Sequence, residues 1–337
     1  MKLMKFRCLI ASLCMMILGL TGVPESSQAQ SKPVGQITLG WVKSTANLMA
    51  FISPEISEKH GLKIESVNFN TAVDISTAMI NGQIDVGLLT PIHLIRAVDT
   101  KVDFVQIAGN TRGNTGIVIA KKYGLSLNDW DGLKKLIQEK KLQHEKLRVA
   151  SSRGSINDLL AIGEFAKHGI EFDKNFDWVN VANFADMPQG LRSGQFDMIV
   201  ELEPLVSLVT VDGVGTLLSR PYDTAAGDLN TCYVVRRDWL AKNPALAQAF
   251  VSTLVDAAKR LSDTKVELAA AEKLTGLKPD VLASALSNNR YDLRNGLKRM
   301  QALARIAAER KYVSHDVSAE LPKAVDNRFL RAAGVTE

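Results

Sequence analysis

A chain of 337 residues, 46% of them hydrophobic and 23% charged, is long and apolar enough to build two lobes on its own core. Its formal charge of +5 is mild, and its bases are spread among acids rather than blocked. That pattern gives no footprint for nucleic acid or for an anionic membrane surface, while leaving room for an anionic ligand.

The first thirty residues read as a targeting segment. Lys2, Lys5 and Arg7 form a positive start, Cys8 to Leu20 is an apolar run, and Ser27-Gln28-Ala29 supplies small residues for a cut after Ala29. The apolar run is shorter than the ~20 residues a spanning helix needs, which favours a secretory signal over a membrane anchor. Arg7 before Cys8 and Leu13 before Cys14 do not suit a lipid-attachment site. Cys8 and Cys14 would leave with the signal, so Cys232 would have no internal disulfide partner and reads as a small buried apolar residue.

From residue 36 to about 218, strand-like runs alternate with helical periods, the pattern of an α/β fold with largely parallel sheets. Strands are expected at 37–41, 62–68, 84–89, 102–108 and 117–120, with helices at 46–60 and 73–81 and another opening at Pro91. A second set follows: helix 128–141, strand 147–150, helix 155–167, strand 177–181, helix 185–193 and strand 196–200. From about Asp238 onward the period is almost wholly helical.

Two stretches repeat. Asp74 to Asp85 aligns with Asp186 to Asp197, so that Gly82, Gln83 and Asp85 match Gly194, Gln195 and Asp197. Upstream, Lys59-His60-Gly61 matches Lys167-His168-Gly169. In each unit a glycine ends a helix before a strand, and each histidine sits in a last helical turn where positive charge suits the dipole. Two copies, each followed by a proline (Pro91 and Pro204), point to two lobes of the same topology facing a cleft that closes by a hinge.

The motifs, taken in order, carry a family likeness. They are Ile37-Thr-Leu-Gly-Trp41, Asn81-Gly-Gln-Ile-Asp-Val-Gly87 with Thr90-Pro91, Val149-Ala-Ser-Ser-Arg-Gly-Ser155, Ser193-Gly-Gln-Phe-Asp197, Glu203-Pro204, and Tyr233-Val-Val-Arg-Arg-Asp238 before Asn243-Pro244. The chain resembles the periplasmic solute-binding proteins of nitrate, sulfonate and taurine ABC importers, a group that also includes thiamine-precursor binders. The resemblance implies a two-lobed type II periplasmic binding protein fold with two chain crossings and a helical C-terminal region. The crossings are expected near 120–123 and 222–230, giving lobe one as 31–120 plus 223–337 and lobe two as 121–222, after a 1–29 signal peptide. It also implies a monomer in the periplasm that hands a small solute to an inner-membrane permease and its ATPase.

Candidate ligand contacts follow from strand ends that run into helix starts, where unpaired N–H groups and the dipole favour anions. Ser152, Gly154 and Ser155 form the sharpest such turn; Ser155 equally well caps its helix. Trp41, Ser44 and Thr45 form the matching turn of the first lobe, with Trp41 either a flat wall or core filling. Thr90 adds a third wall, and Pro91 suits the first turn of its helix. Arg112 is a bidentate partner for an anion or a solvated surface arginine. Glu203 faces either an amine or the hinge backbone, and Asn230 borders the pocket or caps a turn. Glu201-Leu202 stands before Glu203 where many relatives place an aromatic residue directly before the acid, which puts an aromatic-lined pocket in doubt.

No catalytic constellation, metal-ligand spacing or cofactor motif is legible: the histidines are scattered and Cys232 has no nearby partner. The favoured function is capture of a sulfonate-, taurine- or nitrate-like anion. The alternatives are a pyrimidine or other heteroaromatic solute, or an enzyme or sensor on the same fold; a sensor would be expected to continue into a membrane span and signalling domain.

Overall fold

The computed structural model describes residues 35–181 and 183–336; the expected targeting segment and the expected cut after Ala29 lie outside the described residues. The first strands are β1 (Gly35–Val42), β2 (Leu62–Phe69), β3 (Val86–Leu89) and β4 (Phe104–Gly113). Then come β5 (Thr115–Ala120), β6 (Leu147–Ser151), β7 (Phe176–Asn180), β8 (Met198–Leu202) and β9 (Gly215–Ser219). The last two are β10 (Leu229–Arg236) and β11 (Asn289–Tyr291). They form two sheets, ordered β11-β4-β10-β3-β1-β2 and β7-β6-β8-β5-β9. The fold is a two-lobed α/β architecture.

Both faces of each sheet are covered, which explains the near-continuous apolar strands. Ile37, Leu39 and Trp41 of β1 pack on one face with Leu62, Val86, Tyr233 and Val235. Leu89, Phe104, Cys232 and Val234 pack on the other. The second sheet repeats the arrangement, with Ile117, Leu147, Val149 and Met198 on one side and Val118, Ala150 and Ile199 on the other. Each such buried Leu, Ile, Val or Phe contributes roughly 1.5–3 kcal/mol. Cys232 is buried in β10, and burial pushes its thiol up to about 12.

The duplicated segment has a structural counterpart. In the first sheet β1 lies parallel between β2 and β3, and in the second β6 lies parallel between β7 and β8. The Asp85 amide donates to the Thr38 carbonyl (3.0 Å), and the Thr38 amide donates back to Asp85 Oδ2 (2.9 Å). Asp197 and Arg148 exchange the same pair of bonds at 2.9 and 3.0 Å. Each aspartate thus locks the start of its strand onto the neighbouring one.

The expectation of largely parallel sheets needs correction at β5 and β10, and at the short β11, which pairs antiparallel with β4. β10 runs antiparallel to β3 and β4, and β5 antiparallel to β8 and β9. β5 and β10 are each the first strand laid down after the chain changes sheets, so they enter against the parallel set. The first crossing also differs from the expected 120–123. β5 already belongs to the second sheet, and the chain passes between sheets at Asn114, whose φ of 72° turns it out of β4. The return runs between β9 and β10, over residues 220–228. Two bonds tie the crossings: Gly113 N donates to Asp228 O (2.8 Å) and Asn230 Nδ2 to Gly113 O (2.8 Å).

After β10 the chain is mainly helical, interrupted by the short β11, which pairs with β4. Helix Pro244–Leu261 buries Phe250 and Leu254 against the β1 face, and helix Leu297–Glu309 buries Met300 and Leu303 against the opposite one. Among the described residues no helix is long and apolar enough to cross a membrane.

Candidate functional site

A cavity of about 430 Å³ lies between the lobes at the carboxyl ends of the strands, where open α/β sheets place their ligands. The first lobe lines it with Thr71 and Asp74 after β2 and with Thr90, His93 and Arg96 after β3. The second lobe contributes Ser152 to Asn157 after β6, Asn180 and Phe184 around the end of β7, and Leu202 of β8. Three helices therefore begin at its wall: Ala72–Ile80, Pro91–Asp99 and Ile156–Lys167. Their N-termini together present a positive field to whatever occupies the cavity.

The turn 152–155 is shaped by its own bonds. Gly154 has φ +73°, and its amide donates to Asp158 Oδ2 at 2.7 Å. Ser155 N donates to Ser152 O (3.1 Å), and Ser155 Oγ accepts from Asp158 N (3.3 Å), so Ser155 is the helix cap. Arg153 N donates to Asn180 Oδ1 (2.9 Å) and its guanidinium lies 5.1 Å from the Trp178 ring. Ser152, Gly154 and Ser155 reach the cavity as expected, yet the Gly154 amide is already engaged by Asp158. Burial raises the Asp158 carboxyl to about 7, against the pull of Gly154 N, Tyr312, Arg310 and Arg153.

Thr90 also lines the cavity, capping a helix whose first residue is Pro91. Its Oγ1 lies 2.8 Å from His93 Nδ1. Burial, and then the neighbouring Arg96, lower His93 to about 4, so the ring is neutral at pH 7 and exchanges a hydrogen bond with Thr90 rather than carrying charge. Arg96 spans the cleft and donates through Nη2 to the Gly154 carbonyl at 3.0 Å. Burial pulls its guanidinium below its usual value, while Tyr312 and Asp158 oppose the fall. His93, Arg96, Asn157, Asn180 and Phe184 were not singled out from the sequence, and Arg153 entered only as part of the 149–155 motif. His93 and Arg96 stand at i and i+3 behind Thr90-Pro91, a spacing that puts both on one helix face.

Other expected contacts are placed elsewhere. Trp41 is 2% exposed, its Nε1 donates to Ser66 Oγ (3.0 Å), and its ring packs on Phe51; it is core filling with its donor spent. Ser44 caps the turn at Thr45 and donates to the Glu203 carbonyl across the lobes at 3.3 Å. Thr45 is fully buried beside it, its carbonyl taken by Asn289 Nδ2 and its Oγ1 without a partner. Arg112 does not face the cleft: its Nε donates to Asp292 Oδ2 (2.5 Å) and its Nη1 lies 3.5 Å from Asp228 Oδ1. Glu203 faces neither an amine nor open solvent. Its carboxylate accepts from Arg220 Nη2 (2.6 Å) and Ser207 N (2.9 Å), and its amide donates to Asn114 O (2.9 Å), which ties it to the first crossing. Asn230 is fully buried and bonded to Gly113, holding the crossings together.

A model of the NMT1-like family matches residues 30–275. The chain belongs to the NMT1-like family. Among solved structures, this NMT1-like chain is similar to the alkanesulfonate-binding protein SsuA from Xanthomonas axonopodis pv. citri bound to MOPS. The two share 19% identity with a TM-score of 0.71, over 88% of this chain and 99% of that one. It is also similar to the periplasmic nitrate-binding protein NrtA from Synechocystis PCC 6803, at 16% identity and TM-score 0.77, over 89% and 88% of the two chains. YtlA of Bacillus subtilis (strain 168) is 22% identical over 255 residues, 73% of this chain and 72% of its own. The structural likenesses establish the periplasmic binding protein fold for this NMT1-like chain.

Proposed function

We propose that this chain is an exported solute-binding protein that closes around a small organic anion and delivers it to an ATP-driven permease of the inner membrane. The observation that carries the reading is the interlobe cavity of about 430 Å³, where three helix starts converge with Arg96 and Arg153. A site of this size and position suits a small molecule. Its lining is biased positive, because Arg96 and Arg153 outnumber its one lining carboxylate, Asp74.

The cavity exceeds what a nitrate-sized ion needs, and Val73, Ile156, Phe184 and Leu202 give it an apolar wall. These features favour an anionic head on an organic body, of the kind that MOPS presents in the similar SsuA structure. Export after Ala29 and handover to a permease rest on the amino-terminal segment and on the similarity to periplasmic binding proteins. Phe184 and the apolar wall also suit a neutral heteroaromatic solute, which is the second reading.

The test is thermal unfolding of the chain from Gln30 onward against sulfonates, carboxylates, nitrate and pyrimidines. A ligand at a hundred times its Kd stabilises by about 2.7 kcal/mol. Organic sulfonates or carboxylates are expected to raise Tm, and Arg96→Ala/Arg153→Ala to remove the rise. A Tm rise with a neutral pyrimidine, and with none of the anions, would replace this reading with the second.

A further inference from the structure

A second cavity, of about 930 Å³, shares no lining residue with the cleft and sits against both chain crossings. Five bases line it: Arg112, Arg290, Arg294, Lys298 and Arg299. Two carboxylates stand among them, Asp228 and Asp292. Asp228 is bonded by Arg112, Arg290 and Arg299, and Asp292 by Arg112 and Arg294. The two acids and Arg112 are nearly buried, whereas Arg290, Arg294 and Arg299 keep about half of their side chains exposed. The carboxylates thus act as posts that hold three arginine heads at the wall of the groove, leaving an excess of three positive charges.

The surrounding backbone is shaped to admit those heads. A Cβ on Gly227 would lie 2.8 Å from Arg299 Cδ, and one on Gly296 would lie 3.1 Å from Arg112 Nη2. Both glycines also have positive φ. Helix Leu297–Glu309 opens at the groove with no acid in its first turn and with Lys298 and Arg299 there instead. Helices Ala72–Ile80, Ile156–Lys167, Thr264–Thr275 and Pro279–Leu286 carry an acid in that turn, and Pro91–Asp99 and Pro244–Leu261 carry neither an acid nor a lysine or arginine there. Bases on a helix start oppose its dipole; Asp228 offsets Arg299, while Lys298 stands at the groove wall beside it.

We infer that this groove is a second anion site, outside the transport cleft, that takes a phosphoryl group carrying two or more negative charges. Planar guanidinium groups held by carboxylate posts match the paired oxygens of such a group, and the excess charge selects a multivalent anion over a monovalent one. An occupant would bridge Arg112, two residues ahead of the first crossing, and the partners of Asp228 in the second.

Calorimetric titration of the protein with inorganic pyrophosphate at low ionic strength tests the inference. Saturable binding is expected, weakened about tenfold or more by Arg290→Ala/Arg299→Ala. It should be left unchanged by Arg96→Ala in the cleft. Because the double variant disturbs Asp228, Lys298→Glu serves as a second probe that leaves the carboxylate posts intact and should weaken binding as well. Co-sedimentation with phosphatidylglycerol vesicles, absent with phosphatidylcholine and competed by pyrophosphate, would assign the phosphoryl group to a lipid headgroup; no co-sedimentation would assign it to a soluble anion. Absence of saturable pyrophosphate binding, or binding untouched by both groove variants, would overturn the inference.

Discussion

Arg96 of the first lobe donates through Nη2 to the carbonyl oxygen of Gly154 in the second, 3.0 Å away, so one hydrogen bond closes the cavity wall at the turn that sequence reasoning had marked. The contact depends on glycine at that position. A Cβ there would stand 2.6 Å from Arg96 Nη2, and φ is +73°. Gly154→Ala is expected to lose roughly 1–2 kcal/mol through left-handed strain and to abolish the ligand-induced rise in Tm. Gly82→Ala is the control: φ is +70°, but nothing lies within 4 Å of its Cβ. It should lose comparable stability in urea and keep binding. Equal loss of binding in both variants would remove Gly154 from the site.

Asp158 lies under the same turn, its carboxyl raised from the ordinary 3.8 to about 7, chiefly by burial. The folded state therefore holds a proton that the unfolded chain has released. Stability from this group is full below about pH 4 and declines as pH rises towards 7. Asp158→Asn keeps an acceptor for Gly154 N and should flatten that decline in denaturant titrations. Ionisation also places a negative charge beside the cleft, so affinity for an anionic ligand is expected to fall as pH passes 7 in the parent and to stay level in the variant. A parallel fall in both would detach Asp158 from binding.

Asp197 behaves in the opposite sense. Burial alone would raise it, but bonds from Arg148 and Tyr123 outweigh burial and hold it at about 2. Its stabilising contribution is present above the ordinary 3.8 and is lost as pH falls to about 2. Asp197→Asn is expected to cost roughly 2–3 kcal/mol at neutral pH, since charge-assisted bonds to Arg148 and Tyr123 weaken together. Denaturant unfolding between pH 2 and 5 should then show a shallower acid limb than in the parent.

Arg310 and Asp173 pair across the lobes through two bonds of 2.9 and 3.1 Å. The aspartate is mostly exposed, so the pair contributes at most about 1 kcal/mol. Arg310→Ala should leave Tm nearly unchanged while raising the ligand off-rate by up to about fivefold, as expected if opening of the lobes breaks the pair. Stopped-flow fluorescence reports this through Trp178, which stacks near Arg153 at the cavity. An off-rate equal to that of the parent would show that the pair does not guard closure.

The sequence by itself determined the local elements and the duplicated unit. Asp85 and Asp197 are matched in a repeated Gly-Gln-x-Asp pattern, and each bonds the neighbouring parallel strand, β1 or β6, in the same way. Such features are readable because side-chain period, helix caps and turn glycines act over a few residues. The helix cap at Ser155 and the cavity positions of Ser152, Gly154 and Thr90 were legible for the same reason.

Only the tertiary structure decided which of these residues meet. The crossing at Asn114 lies within the polar, glycine-bearing stretch 110–116, yet the two strands run to within one residue of it, so the local turn signal did not by itself mark a change of sheet. Arg112, read as either an anion's partner or a surface arginine, is nearly buried against Asp228 and Asp292, which lie 116 and 180 residues away where no local rule pairs them. Trp41 and Thr45 sit at a strand end that sequence logic aims at a ligand, but close packing against Ser66, Phe51 and Asn289 takes them into the protein instead. Arg96 became a cleft residue only when two lobes, each legible alone, were brought face to face.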